Sequence, residues 1–203
     1  MSSKPILIVA GEPNSIFLEI FFKSLRLSNN SSPIILIASH KLLVLQMKKL
    51  KFNKKIRFLN YRKLNKIKLD NKSINLIDVK YDQKKAFEKK SKKSNKYIED
   101  CFLLAFNILK SKITNKFING PIYKNKFLKK KYLGVTEYIS DYFSVKKNAM
   151  LIYNKKLSVC PVTTHLPLKL VSKKINKKLI GEKIELINEF YKKNIGYNPK
   201  IGV

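Results

Sequence analysis

The feature that most constrains the fold is a series of apolar, strand-like segments that alternate with amphipathic stretches. Residues 5–10 and 34–38 are apolar at every position, mostly apolar segments lie at residues 56–59 and 74–79, and helical patterns follow the first two at residues 15–27 and 41–50. A strand that is apolar at every position is typical of a parallel sheet with both faces covered. The alternation of strands and helices therefore predicts an α/β fold built on such a sheet.

The strongest helical pattern in the chain follows a polar, lysine-rich segment at residues 81–96. Apolar residues recur on one helical face from Ile98 to Leu109, and Cys101 lies on that face. We therefore interpret Cys101 as a buried structural residue rather than a reactive thiol.

The rest of the chain predicts one more short strand, a hairpin and a long helix. The strand lies at residues 116–118, and the two hairpin strands at residues 149–153 and 157–162 flank a polar turn. The helix carries Ile180, Ile184, Ile187 and Tyr191 on one face. The sequence given stops inside an apolar stretch at residues 201–203.

Lysine dominates the charge of the chain. Lys and Arg number 44 against 13 Asp and Glu, which gives a net charge of +31, but the only arginines are Arg26, Arg57 and Arg62. A surface selected to bind phosphate uses arginine as well, because its guanidinium pairs with phosphate through two hydrogen bonds. The lysines are also spread over the whole length, so we attribute them to compositional bias. A nucleic-acid-binding module is the least favoured of the functions considered.

Two features indicate where such a chain resides. No run approaches the roughly 18–20 apolar residues that a spanning helix needs. Cys101 and Cys160 are too few for a disulfide scaffold in a chain of this size, which indicates a reducing compartment. We therefore expect a soluble cytoplasmic protein with no membrane partner.

The chain has two histidines that could take part in chemistry. His40 follows a predicted strand and is interpreted as a surface or capping residue. His165 follows the last predicted strand, between two threonines and Leu-Pro-Leu, where α/β proteins place ligands and catalytic groups. One histidine cannot hold a metal alone, since such sites need three or four ligands. The turn Gly11-Glu12-Pro13 lacks the glycine spacing of a dinucleotide-binding loop.

Four short blocks, taken in order, resemble the 4-hydroxythreonine-4-phosphate dehydrogenase family of pyridoxal phosphate biosynthesis. They are residues 6–19 with Gly11-Glu12-Pro13, Asn119-Gly120-Pro121 with Lys124, Gly134-Val135-Thr136-Glu137, and Thr163-Thr164-His165-Leu166-Pro167-Leu168. The resemblance covers essentially the whole chain. It implies a two-subdomain α/β fold like that of isocitrate and isopropylmalate dehydrogenases. The first subdomain is then expected at residues 1–133, and residues 134–203 start a second one whose remainder is missing.

The resemblance also implies a reaction. NAD would oxidise the hydroxyl of 4-phosphooxy-L-threonine, and decarboxylation would give 3-amino-2-oxopropyl phosphate, with a divalent metal (Zn, Mg or Co) and a homodimeric enzyme. On this basis His165 is expected to bind the metal, and Thr136 and Lys124 to contact the substrate. Neither the NAD-binding residues nor the general base can be named from the sequence.

Three departures from the family pattern bear on activity. Val135 replaces a family histidine that contacts the substrate, and Asn14-Ser15-Ile16-Phe17 replaces small residues. The family's second and third metal histidines have no counterpart in this sequence. We therefore expect this chain to be an N-terminal portion of a longer enzyme. By itself the chain is expected to be inactive and to bind divalent metal poorly. The alternative is a non-catalytic or altered-substrate paralogue.

Overall fold

The first of two compact units is built on a five-stranded parallel sheet. The computed structural model describes residues 4–27, 31–88, 93–128 and 131–203, and the units are Met1–Phe127 and Leu128–Val203. The strands are β1 (Ile6–Val9), β2 (Ile34–Ala38), β3 (Ile56–Phe58), β4 (Ile74–Asp78) and β5 (Lys116–Asn119), in the spatial order β3-β4-β2-β1-β5. Every neighbouring pair is parallel, which confirms the predicted α/β sheet.

Helices cover both faces of this sheet. They are α1 (Phe17–Leu27), α2 (His40–Lys49), a 3₁₀ helix (Tyr61–Lys66), α3 (Lys93–Lys110) and α4 (Lys124–Phe127). Helices α1 and α2 pack on one face, where Phe22 and Leu43 join Leu36 of β2 in a single apolar cluster. Alternate strand residues point the other way, and the fully buried Phe102 and Phe106 of α3 cover that side.

Polar side chains fix where the helices of the first unit begin. The Ser15 hydroxyl accepts a hydrogen bond from the Phe17 amide, at the start of α1, at 3.3 Å. Ser39 caps α2 by accepting from the Leu42 amide at 3.3 Å. The capping role that the sequence allowed for His40 is therefore wrong. His40 is the first residue of the helix, and its amide donates to Asp78 Oδ1 at 2.7 Å.

The buried face of α3 agrees with the sequence. Cys101 is completely buried, and this burial raises the pKa of its thiol to about 12. A thiol that stays protonated at neutral pH is a poor nucleophile, so the structural interpretation of Cys101 is confirmed.

The second unit consists of helices and irregular chain over its described residues 128 and 131–203. The helices are α5 (Val135–Tyr142), α6 (Leu168–Lys174) and α7 (Lys177–Asn194). The hairpin strands predicted at residues 149–153 and 157–162 are wrong. Only one antiparallel bridge forms there, in which Ile152 and Val159 exchange hydrogen bonds of 2.8 and 3.0 Å. The described part of this unit offers no third strand to extend the pairing, and an isolated two-stranded hairpin is marginal in water.

The long helix predicted near the end of the sequence is confirmed as α7. Asn176 caps it, since Asn176 Oδ1 accepts from the Leu179 amide at 2.9 Å. Tyr191 is the buried residue of this helix, and its hydroxyl donates to Ser158 Oγ at 2.9 Å. Among the described residues, no helix combines the length and the apolar character that crossing a membrane requires. The subdomain boundary between residues 133 and 134 stays a prediction.

Candidate functional site

The three residues singled out by the resemblance lie in different places. Thr136 is the second residue of α5, and His165 lies in the loop before α6, so both belong to the second unit. Lys124 is the first residue of α4 in the first unit. Their assigned roles stay predictions, but the surroundings of His165 are well defined.

His165 is paired with a carboxylate that the sequence did not single out. His165 Nδ1 lies 3.3 Å from Glu137 Oε1, and the Thr164 hydroxyl donates to the same oxygen at 3.3 Å. The backbone of His165 is left-handed, with φ of 54°, which is uncommon for a residue other than glycine. Both side chains of the pair are about one-third exposed, at 33% for His165 and 31% for Glu137. The Glu137–His165 pair is therefore reachable from solvent but held by its neighbours.

Gly134 leaves room for this pair. A Cβ atom at position 134 would lie 2.6 Å from Glu137 Oε2 and 2.7 Å from His165 Cε1. The φ angle of Gly134 is −157°, an extended conformation that any residue adopts. Glycine is therefore needed here for space rather than for backbone freedom. Any side chain at this position would push the carboxylate and the imidazole apart.

The charge state of Glu137 reflects opposing influences. Partial burial acts to raise the pKa of Glu137, whereas a hydrogen bond from its own backbone and the hydrogen bond and charge of His165 lower it. The hydrogen bonds and the charge of His165 together outweigh the effect of burial, so the pKa of Glu137 lies below its ordinary value. Its second oxygen, Oε2, is buried and has no hydrogen-bond partner among the described residues. At neutral pH the group is a carboxylate that accepts hydrogen bonds.

A second candidate region lies in the first unit, where the turns after β1 and β5 touch. The Glu12 amide donates to the Pro121 carbonyl at 2.8 Å. A Cβ on Gly11, whose φ is +76°, would lie 2.4 Å from that carbonyl, and one on Gly120 would lie 2.1 Å from the Ala10 carbonyl. The chain passes from β1 to β2 on one side of β1, with α1 and α2 on one face, and later returns to β5 on the other side of β1, with α3 on the opposite face. The strand order therefore reverses between β1 and β5. Ligands of open α/β sheets bind at such a reversal.

Buried polar groups near this turn were missed by the sequence reasoning. Gln46 is completely buried on α2, and its amide nitrogen donates to the Pro13 and Ala86 carbonyls, each at 2.9 Å. Oxygens or nitrogens of four side chains here are buried without a hydrogen-bond partner in the described part of the chain: Glu12, Asn14, Gln46 and Gln83. The available signal was Gln46 itself, a polar residue on the same helical face as Leu43 and Met47.

The described residues supply only part of a metal site. His165 is a donor of the right type, and a carboxylate on its Nδ1 is the usual outer partner of a metal-binding imidazole. Within the four described ranges, however, no cluster of three His, Cys, Asp or Glu side chains could hold a metal ion. The chain thus fits a divalent metal as a contributor of one ligand.

Comparison with known proteins identifies the family. The family model described as pyridoxal phosphate biosynthetic protein PdxA matches residues 29–203. The chain belongs to the PdxA family. A 4-hydroxythreonine-4-phosphate dehydrogenase from Sulfurihydrogenibium sp. (strain YO3AOP1) is 30% identical over 204 residues, which cover 97% of this chain and 61% of that protein. The chain therefore spans about three-fifths of the length of this PdxA relative.

Solved structures show the same fold. A Salmonella typhimurium protein assigned as a 4-hydroxythreonine-4-phosphate dehydrogenase superimposes with a TM-score of 0.81 at 23% identity, over 96% of this chain and 61% of that one. A 4-hydroxythreonine-4-phosphate dehydrogenase from Klebsiella pneumoniae gives a TM-score of 0.79 at 22% identity, with the same coverage. The α/β fold class expected from the sequence is confirmed as the fold of PdxA proteins.

Proposed function

We propose that this chain provides the N-terminal part of an NAD- and divalent-metal-dependent 4-hydroxythreonine-4-phosphate dehydrogenase. The reaction would oxidise the hydroxyl of 4-phosphooxy-L-threonine and release CO2 to give 3-amino-2-oxopropyl phosphate, in pyridoxal phosphate biosynthesis. The observation that carries the proposal is the Glu137–His165 pair, which lies inside the two PdxA-like blocks of the second unit. The working enzyme would be a cytoplasmic homodimer.

His165 is the residue of this chain that would hold the metal. Its Nδ1 is engaged by Glu137, so its other ring nitrogen is the one available as a ligand. When bound, a divalent metal would polarise the substrate hydroxyl and stabilise the negative oxygen that develops during decarboxylation, while NAD would accept the hydride. The remaining metal ligands would come from outside the described residues.

Thr136 and Lys124 are proposed to bind the substrate. Thr136 lies in the first turn of α5, one residue before Glu137. A hydroxyl can both donate to and accept from a hydroxy acid substrate. Lys124 begins α4 shortly after the Gly120-Pro121 turn, and its ammonium group would suit the substrate phosphate.

A genetic test addresses the whole proposal. The complete locus, with all coding sequence downstream of codon 203, is expressed in a host that lacks this dehydrogenase and requires pyridoxine. Growth without pyridoxine is expected, and His165→Ala should abolish it while His40→Ala, in the first unit, should not. Wild-type protein that accumulates normally but never supports growth would overturn the proposal.

The second candidate is a non-catalytic or altered-substrate PdxA paralogue, and Val135 favours it. Val135 starts α5 beside Thr136 and can form no side-chain hydrogen bond. In the same growth test, a paralogue fails as wild type and, if its only defect is the lost contact, gains growth with Val135→His. Growth of the wild type excludes a non-catalytic protein.

A further inference from the structure

The contact between Glu137 and His165 determines which imidazole nitrogen carries a proton. An ionised carboxylate accepts hydrogen bonds and cannot donate them. Glu137 Oε1 lies 3.3 Å from His165 Nδ1, so Nδ1 must be the protonated nitrogen if the two are hydrogen-bonded. In the neutral ring, Nε2 then carries the lone pair that a metal ion requires.

Three features of the chain favour the position of the carboxylate that this tautomer needs. The Thr164 hydroxyl donates to Glu137 Oε1 and thereby links the carboxylate to the residue just before His165. Glu137 lies in the first turn of α5, where the helix dipole favours a negative side chain. The missing Cβ of Gly134 lets Glu137 Oε2 and the imidazole edge approach the backbone at the start of the helix.

We propose that Glu137 is a positioning residue that holds His165 as the Nδ1–H tautomer and leaves Nε2 free for a divalent cation. Gly134 supplies the space for this arrangement, and the hydrogen bond from the Thr164 hydroxyl holds the carboxylate in place. The inference rests on the proposed function insofar as it names a metal as the ligand of Nε2. The tautomer itself is a property of the chain alone.

The decisive measurement is long-range ¹H–¹⁵N correlation of the histidine rings in the ¹⁵N-labelled protein without metal. The spectrum is recorded at about pH 8.5, two units above the ordinary pKa of a free histidine side chain. The chain has only two histidines, so His40 in the first unit serves as an internal reference. A protonated, pyrrole-type Nδ1 and an unprotonated, pyridine-type Nε2 are expected for His165. The reverse pattern in the wild type overturns the proposal without the need for any variant.

Matched variants test whether the geometry of the Glu137–His165 pair, and not only the presence of both residues, sets the tautomer of His165. Glu137→Ala should lose the preference for Nδ1–H, while Glu137→Gln should largely keep it because the amide oxygen still accepts from Nδ1. Gly134→Ala should lose it although both partners remain, because the new Cβ meets them at less than 3 Å. Thr164→Val should weaken it less. Unchanged helical circular dichroism confirms folding, and unchanged His40 signals confirm that the first unit is unaffected. A folded Glu137→Ala protein with the wild-type tautomer refutes the role of Glu137.

Zinc alone then tests which nitrogen faces the ligand. Added at millimolar concentration, zinc should perturb the Nε2 signal of His165 before that of Nδ1. Perturbation at Nδ1 would contradict the proposal. These readouts need neither substrate nor NAD, so a failure of the growth test with a correct tautomer would overturn the proposed function and leave the positioning role standing.

Discussion

The two units differ in how far their apolar side chains are buried. In the first unit, strand and helix residues such as Leu36, Ile37 and Phe102 are completely buried. Over the described part of the second unit, Leu128 and Tyr191 are the hydrophobic residues that reach comparable burial. Leu168 there is 88% exposed and Leu157 is 75% exposed. Burial of apolar area is the main source of folding free energy, so we expect the first unit to be much the more stable.

The loosely packed part of the second unit surrounds an open cavity of about 600 Å³. Leu151, Leu157, Ile184 and Tyr191 are among its lining residues. The Glu137–His165 pair depends on local contacts at the start of α5 rather than on a buried apolar core. A site can therefore be locally ordered within a unit that has little buried apolar surface. Matched substitutions in the two units test this comparison.

The largest difference is expected from the same substitution in both units. Phe102→Ala removes a fully buried ring that packs against Phe106, Phe117 and Phe127, and should lower the free energy of unfolding by about 3–5 kcal/mol. Phe190→Ala on α7, where the ring is 46% exposed, should cost less than about 1 kcal/mol. Urea unfolding followed by circular dichroism measures both. Equal losses of stability would contradict the difference in apolar burial between the two units.

Two glycines give the next largest difference. Gly120→Ala forces a Cβ against the Ala10 carbonyl and should destabilise the protein by about 1–3 kcal/mol. Gly181→Ala places a Cβ in open space within α7 and should stabilise the helix by up to about 1 kcal/mol. Thermal unfolding should thus shift in opposite directions. A loss of stability for Gly181→Ala would show that α7 packs more closely than we describe.

The two cysteines report on local opening. Half-buried Cys160 of the second unit should react with dithiobis(nitrobenzoate) at about pH 8 in the native protein, whereas buried Cys101 should react only on unfolding. Because burial raises the Cys101 pKa to about 12, its stabilising contribution is complete below the unfolded thiol pKa of about 8.5 and is lost as the pH rises towards 12. Equal labelling rates would contradict the comparison.

The smallest effect is expected for metal binding by the chain alone. Only His165 is a proposed ligand, so calorimetric titration with zinc should give weak heats and no stoichiometric tight site, and His165→Ala should change them little. A single tight site in the wild type that is lost in His165→Ala would show that further ligands of this chain converge on His165.

The sequence predicted the first unit better than the second for a physical reason. Runs such as Ile34–Ala38 are apolar at every position, and such a pattern is typical of a parallel strand covered on both faces. The segment around Ile152 and Val159 also looks strand-like, but a strand persists only with partners, and a local pattern does not reveal them. The same limit applied to the site. The motif drew attention to Thr136 and His165, whereas Glu137 was recognisable only once the fold placed it beside the imidazole.

The position of β1 in the sheet has a consequence for folding during synthesis. Among the described strands β1 comes first in the sequence, and it lies between β2 and β5. It can pair with β2 early, but its other edge keeps unpaired amide and carbonyl groups until residues 116–119 leave the ribosome. The contact between the Gly11 and Gly120 turns also waits for that moment. The nascent chain therefore keeps an unpaired strand edge, of the kind that favours aggregation, until β5 emerges and closes it.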